Sequence, residues 1–177
     1  MKTSLPLAHM EEFAGELLRI LRPHCERIAI AGSIRRQKAK CGDIELVAIP
    51  KIQCFPDLLG DKIEVNEVWE HLDSLVPKLE IEYLSTGKRY RKFVWQDIQV
   101  DFFTATPENW GWIFLIRTGS ADFSHRMAKC LNRKGYTSAE GFVRKIQNPE
   151  KRIKTPDESD IFRLADVPWI EPKDRVQ

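Results

Sequence analysis

Cysteine is sparse and unpaired in this sequence: Cys25, Cys41, Cys54 and Cys130 are scattered, with no CxxC pair among them. That spacing excludes a disulfide framework and a zinc ribbon, and reads as reduced thiols. No apolar run approaches the roughly 20 residues a membrane span needs. The opening residues (MKTSLPLAHMEEF) hold no apolar block of the signal-peptide kind. A cytoplasmic location without a membrane partner is therefore expected. Nor does one charge prevail: the 28 Lys and Arg against 26 Asp and Glu leave +2, too little by itself to mark a polyanion partner. Internal repeats and low-complexity stretches are absent too, and 42% hydrophobic with 31% charged residues excludes a disordered or collagen-like chain. What remains is 177 residues, enough for one ordinary domain or two small lobes sharing a core that folds without staples.

The distribution of charge says more than its sum. Basic residues cluster at Arg35, Arg36, Lys38 and Lys40, at Lys88, Arg89, Arg91 and Lys92, and at Arg126, Lys129, Arg133 and Lys134. A fourth cluster runs from Arg144 to Lys154. Acidic residues gather between them, from Asp61 to Glu82. Basic clusters sharing one face would suit a phosphate backbone; spread over several faces they are ordinary solvated surface.

Apolar spacing sets out the elements. Residues 8–22 place Met10, Phe13, Leu17, Leu18 and Leu21 on one helical stripe, closed by Pro23. Arg27–Ala31 is a short strand running into a Gly32-Ser33 turn, and Ile44–Ile49 a buried strand stopped by Pro50. Residues 62–79 predict an amphipathic helix with Val65, Val68, Leu72 and Leu75 on its stripe. Strands follow at Ile81–Leu84, Tyr90–Trp95 and Ile98–Phe103. The texture changes near 104: helices are expected near 109–117 and 122–134, with Gly135 past the second one's end, then shorter segments at 141–147 and 157–165. This gives a mixed α/β lobe over residues 1–104 and a smaller, mostly helical lobe over 105–177.

Chemistry concentrates in Gly32-Ser33-Ile34-Arg35-Arg36 followed by Gly42-Asp43-Ile44-Glu45. On an extended segment, side chains two apart leave the same face, so Asp43 and Glu45 meet at a strand end. Alone, an acidic pair on a strand is commonly a solvent-facing alternation. Here a Gly-Ser turn that can offer backbone N–H groups and a hydroxyl precedes it, and Arg36 can fork onto a phosphate. Mg²⁺ takes one or two protein carboxylates together with substrate phosphates, with Mn²⁺ a possible substitute. Two such ions roughly 4 Å apart can activate a hydroxyl and steady a departing pyrophosphate. Asp101, in the Ile-Gln-Val-Asp-Phe-Phe strand, is the candidate third carboxylate. The arrangement resembles a nucleotidyltransferase site.

The remaining motifs narrow the resemblance. Glu108-Asn109-Trp110-Gly111, Thr118-Gly119-Ser120, Lys134-Gly135-Tyr136, Asp160-Ile161-Phe162 and Glu171-Pro172-Lys173-Asp174-Arg175 follow in order. With them, the chain resembles the family X DNA polymerases, the polymerase beta-like group, over nearly its whole length. The resemblance implies an α+β fold: a nucleotidyltransferase palm with a mixed sheet and flanking helices over 1–104, plus a small C-terminal α/β lobe over 105–177 that closes on the nascent base pair. It implies Asp43, Glu45 and Asp101 as metal ligands for two Mg²⁺, with Asp101 drawing the proton from a primer 3′-hydroxyl. Gly32, Ser33, Arg36 and Gly42 would hold the triphosphate of an incoming dNTP. Thr118, Gly119 and Ser120 would carry its sugar and base, with Ser124 beside them. Arg89, Arg91, Arg126, Ala128 and Lys129 would face primer-template or gapped DNA. A monomer of minimal form is expected, without the lyase and helix-hairpin-helix regions of the family, filling short gaps in DNA repair.

The sequence also departs from the family pattern. Glu45 stands where Asp is usual, and Gln99 replaces a common Arg. Ser124 and Ala128 replace an Asn and an Arg that read the minor groove, and Ile116-Arg117 replaces an aromatic pair. The carboxylates survive these changes, whereas template reading weakens, so low fidelity is expected. A template-independent or non-DNA nucleotidyltransferase of the same superfamily is the alternative; a DNA-binding module with a decayed site fits less well, since all three carboxylates are present. His9, His24, His71 and His125 show no metal spacing and are expected at the surface or as caps, while Trp69, Trp95, Trp110 and Trp112 are expected in the core.

Overall fold

The computed structural model describes residues 4–56 and 61–175; the outer ends of the two expected domains lie outside these. The chain opens with a two-residue strand, β1 (Leu5–Pro6), and helix α1 (Leu7–Leu21). Met10, Ala14, Leu17 and Leu21 recur at three- and four-residue intervals and are buried. Strand β2 (Cys25–Ile30), the one-turn helix α2 (Gly32–Arg35), a short β3 (Lys40–Cys41) and β4 (Ile44–Pro50) follow. A ribbon of β5 (Ile52–Pro56) and β6 (Lys62–Asn66) leads into α3 (Glu67–Leu79), then β7 (Glu82–Thr86), β8 (Tyr90–Trp95) and β9 (Ile98–Thr104). Past Thr104 come α4 (Trp110–Thr118), α5 (Ala121–Arg133), β10 (Tyr136–Ala139), β11 (Phe142–Lys145), β12 (Asn148–Ile153) and α6 (Glu158–Ala165).

The main sheet has the order β2-β4-β9-β8-β7 and is mixed: β4 and β9 run parallel, while the other neighbours are antiparallel. Strand alternation sorts its residues onto two faces. Ile44, Leu46, Ala48, Phe93, Trp95, Val100 and Phe102 lie on one face and form a core with α1 and α3. Val47, Ile49 and Phe103 lie on the other, where Trp110 and Phe114 of α4 cover them. That second, smaller core joins the sheet to the C-terminal lobe, whose own core gathers Leu115, Phe123, Met127, Leu131, Val143, Ile161 and Phe162. Trp69, Trp95, Trp110 and Trp112 are all buried, as expected.

Two expectations need correction. The helix expected over 62–79 begins only at Glu67, because Asn66 caps it by accepting from the Trp69 backbone N–H. Residues Lys62–Asn66 instead pair with β5, a strand absent from the sequence reading. Likewise, the C-terminal lobe is not mostly helical beyond α5: β10, β11 and β12 form an antiparallel sheet. Its first hairpin turns on Glu140 and Gly141, both at positive φ (53° and 82°), the backbone that a tight two-residue turn demands. The Gly32-Ser33 turn closes as a helical turn, with Gly32 itself at φ 63°. Among the described residues no helix is long and apolar enough to cross a membrane.

Candidate active site

The register of the parallel pair brings the acids together. Glu45 on β4 sits opposite Asp101 on β9, and Asp43 precedes β4 on the same side by alternation. This is the face that the C-terminal lobe covers. Asp101 is buried, with 9% of its surface exposed; it accepts from the Tyr90 hydroxyl and from Gln99 Nε2, the latter at 2.5 Å. The Tyr90 phenol is pushed above the usual tyrosine range by burial and by that bond. Burial, then the charges of Asp43 and Asp101, raise the Glu45 carboxyl to about 7, against the opposing pull of Arg36 and Arg117.

The Gly32-Ser33 turn is built onto this strand. Ala31 N–H donates to the Glu45 carbonyl at 2.8 Å, and a Cβ placed on Gly32 would stand 1.9 Å from Glu45 Oε2. Glycine here lets the carboxylate lie against bare backbone. Ser33 Oγ is buried with no protein partner, and Gly42 is half-buried just ahead of Asp43. Arg36 donates to the Thr118 carbonyl and its Nε is buried without a partner; burial lowers its proton affinity while Glu45 raises it. Thr118, Gly119 and Ser120 form the junction of α4 and α5. Thr118 is fully buried, Gly119 has φ 65°, and Ser120 caps α5 by accepting from Phe123 N–H at 3.3 Å.

Buried charges tie the lobes together beside this site. Arg35 donates to Thr118 Oγ1 at 2.7 Å and bridges both oxygens of Glu158 at 2.9 and 2.6 Å. Arg175, with none of its surface exposed, holds Glu158 Oε1 from the other side at 2.7 Å.

Other candidates fall elsewhere. Ser124 Oγ donates to the Ile116 carbonyl at 3.2 Å, and Ala128 packs against the C-terminal core. Arg126 and Lys129 are exposed on α5. Arg89 is exposed and donates to the Glu140 carbonyl at 2.8 Å, spanning the cleft. Arg91 leaves the opposite face of the sheet from Tyr90: it pairs with Asp73 at 2.5 Å and lies 4.7 Å over the Trp69 ring. His24 and His71 stack at 3.9 Å, with His24 Nδ1 3.7 Å from Glu67. Three residues at the site went unassigned in the sequence: Tyr90, Phe103 and Arg117. Tyr90 stacks on Phe103 with centroids 4.7 Å apart, and the Arg117 guanidinium covers Phe103 at 3.8 Å.

Among the described residues no three His, Cys, Asp or Glu side chains are drawn close enough to hold a metal ion as they stand. The donor set nevertheless suits a hard divalent cation. Burial first, and then the negative charges of Asp43 and Asp101, hold back ionisation of Glu45, and a cation bound through oxygen would offset both. Asp43, Glu45 and Asp101 are thus the residues that would hold Mg²⁺. Residues 113–176 match the family model of the DNA polymerase beta thumb. The match runs from the second turn of α4 through the end of the described chain, so the C-terminal lobe is similar to the thumb of polymerase beta-like enzymes.

Proposed function

We propose that the protein is a DNA-directed DNA polymerase of the family X type, which adds dNTPs to a primer 3′-hydroxyl with release of pyrophosphate and fills short gaps. The observation that carries this reading is the register of Glu45 against Asp101 on the face covered by the thumb-like lobe. Two Mg²⁺ ions, when bound, supply Lewis-acid activation of the attacking hydroxyl and charge neutralisation at the departing pyrophosphate.

The protein's own part is placement and charge. Tyr90 and Gln99 hold the Asp101 carboxylate by hydrogen bonds, and Asp101 takes the proton from the primer 3′-hydroxyl. The Ser33 hydroxyl and the Arg36 guanidinium, each with a buried atom lacking a protein partner, bind the triphosphate. Gly32 and Gly42 offer backbone N–H groups beside them. Thr118-Gly119-Ser120 brings the thumb backbone against the sugar. Holding both substrates in line is how such a site lowers the barrier without a covalent intermediate. Arg89, Arg126 and Lys129 neutralise DNA phosphates; Arg91, on the far face, steadies the sheet.

A second reading has its own support. Ser124 spends its hydroxyl on a backbone carbonyl and Ala128 packs inward, so neither offers a donor to the minor groove, as a template-independent nucleotidyltransferase would allow. Primer extension on matched and gapped templates, with each dNTP in turn and with Mg²⁺ or Mn²⁺, separates the two. Addition dictated by the template base supports the polymerase; addition indifferent to it supports the alternative; no addition with either ion overturns both.

A further inference from the structure

Arg117 belongs to α4 in the C-terminal lobe, yet its guanidinium is seated on the main sheet, 3.8 Å over the ring of Phe103. Phe103 lies two residues beyond Asp101 on β9, so the two side chains leave the same face. Tyr90, stacked on that ring, is the residue whose hydroxyl reaches Asp101. The guanidinium therefore lies on the face of the sheet that carries the acids, and its Nε is buried with no hydrogen-bond partner. The charged and titratable groups acting on it are Glu45, Tyr90 and Asp101. The next residue, Thr118, is clamped by Arg35 and Arg36, which fixes where α4 presents the charge. Asp43, Glu45 and Asp101 carry three negative charges when ionised, and Arg36 and Arg117 supply two positive ones from neighbouring elements.

We propose that Arg117 is a positioning residue, the resident counter-cation of the Glu45 and Asp101 carboxylates, anchored on Phe103, and that a divalent cation entering the set competes with it. Stacking on an aromatic face holds a guanidinium without spending its charge, so Arg117 can neutralise the set loosely enough to yield. The competition rests on reading these carboxylates as a metal set; the counter-cation role does not.

The first test uses no metal. In EDTA at low salt, Arg117→Met, which keeps the apolar reach and removes the charge, should lower Tm by at least about 3 °C. In a Glu45→Gln background the same change should cost less than half as much. Equal losses in the two backgrounds would overturn the counter-cation role. The second test is Mn²⁺ binding followed by electron paramagnetic resonance. Arg117→Met should bind Mn²⁺ about fivefold tighter than wild type or more. Arg117→Lys, which retains the charge, should stay within about twofold. Equal or weaker binding by Arg117→Met would overturn the competition. If neither wild type nor variant binds Mn²⁺, the competition and the metal reading fall together. Tight Mn²⁺ binding without primer extension would remove only the polymerase reading.

Discussion

Tyr90 and Asp101 are joined across the antiparallel β8–β9 pair by the phenolic hydrogen, and that bond ties β8 to the acid proposed as base. Tyr90→Phe keeps the ring on Phe103 and deletes only the donor. Gln99 still reaches Asp101, so the expected loss is about 1.5 kcal/mol, the low end for a hydrogen bond to a charged acceptor. Thermal unfolding should show a Tm lower by about 5 °C. An unchanged Tm would mean the bond contributes nothing net.

Asp101→Asn should abolish nucleotide addition while DNA affinity, followed by anisotropy, stays within about twofold of wild type, because the change removes a ligand charge and the proton acceptor together. Retention of more than about a tenth of the rate, a barrier change under roughly 1.4 kcal/mol, would show that Asp101 is not the third ligand.

Glu45 gives the protein a pH dependence of definite sign. Its carboxyl ionises near 4.5 in an ordinary setting and near 7 in the fold. Between those values the folded state binds the extra proton, so stability falls as pH rises through this window and levels off above it. The total is about 3 kcal/mol before solvent screening. Without metal, Glu45→Gln should therefore be the more stable protein at pH 8 and no more stable than wild type at pH 4. Urea denaturation at the two values checks it; a constant difference would mean the shift has another origin.

At position 32 a methyl group has nowhere to go. Gly32→Ala meets Glu45 Oε2 and adopts a positive φ that alanine resists, so the loss should reach about 2 kcal/mol or more. In a Glu45→Ala background the carboxylate clash is gone, leaving the backbone part, about 1 kcal/mol, and a tight 3.1 Å contact with the Cβ of residue 45. Calorimetry on the four proteins gives the coupling directly.

Glu158→Gln leaves the guanidinium groups of Arg35 and Arg175 facing a neutral amide at the junction of the lobes. Removing one member of a buried ion network costs about 3 kcal/mol or more, seen as a lower urea midpoint with Trp110 and Trp112 fluorescence as the reporter. A loss below about 1 kcal/mol would show that the second core alone joins the lobes.

Much of the site was legible because strands repeat every second residue. Asp43 and Glu45 fall on one face by alternation, Asp101 joins them through the β4–β9 register, and the continuous apolar run of β4 marks burial on both sides. The β5–β6 ribbon was hidden by coincidence: Val65 falls in step with Val68, Leu72 and Leu75, so the helical stripe extends backwards past the Asn66 cap. The C-terminal sheet was hidden because its strands are short and unlike one another: β10 is polar without charge, β11 is mostly buried, and β12 is charged and exposed. Arg117 could be noticed as an oddity but not assigned, since its neighbour Phe103 is reached only once α4 docks on the sheet. Glu158 carried no local signal, and Arg175 only its place in the Glu171–Arg175 motif; their pairing is a product of chain return.

The last described residue has a consequence for how the protein is made. Arg175 is wholly buried, lies 5.1–5.4 Å from the rings of Phe123, Phe162 and Trp169, and lends its carbonyl to Ser120 N–H. The cap of α5 and the junction beside the carboxylates thus wait on an amino acid that the ribosome adds after all the others in these elements. A nascent chain still tethered short of it holds an aromatic nest without its cation. During synthesis the cleft beside the carboxylates is therefore completed only after Arg175 has emerged, later than the sheet that carries the acids.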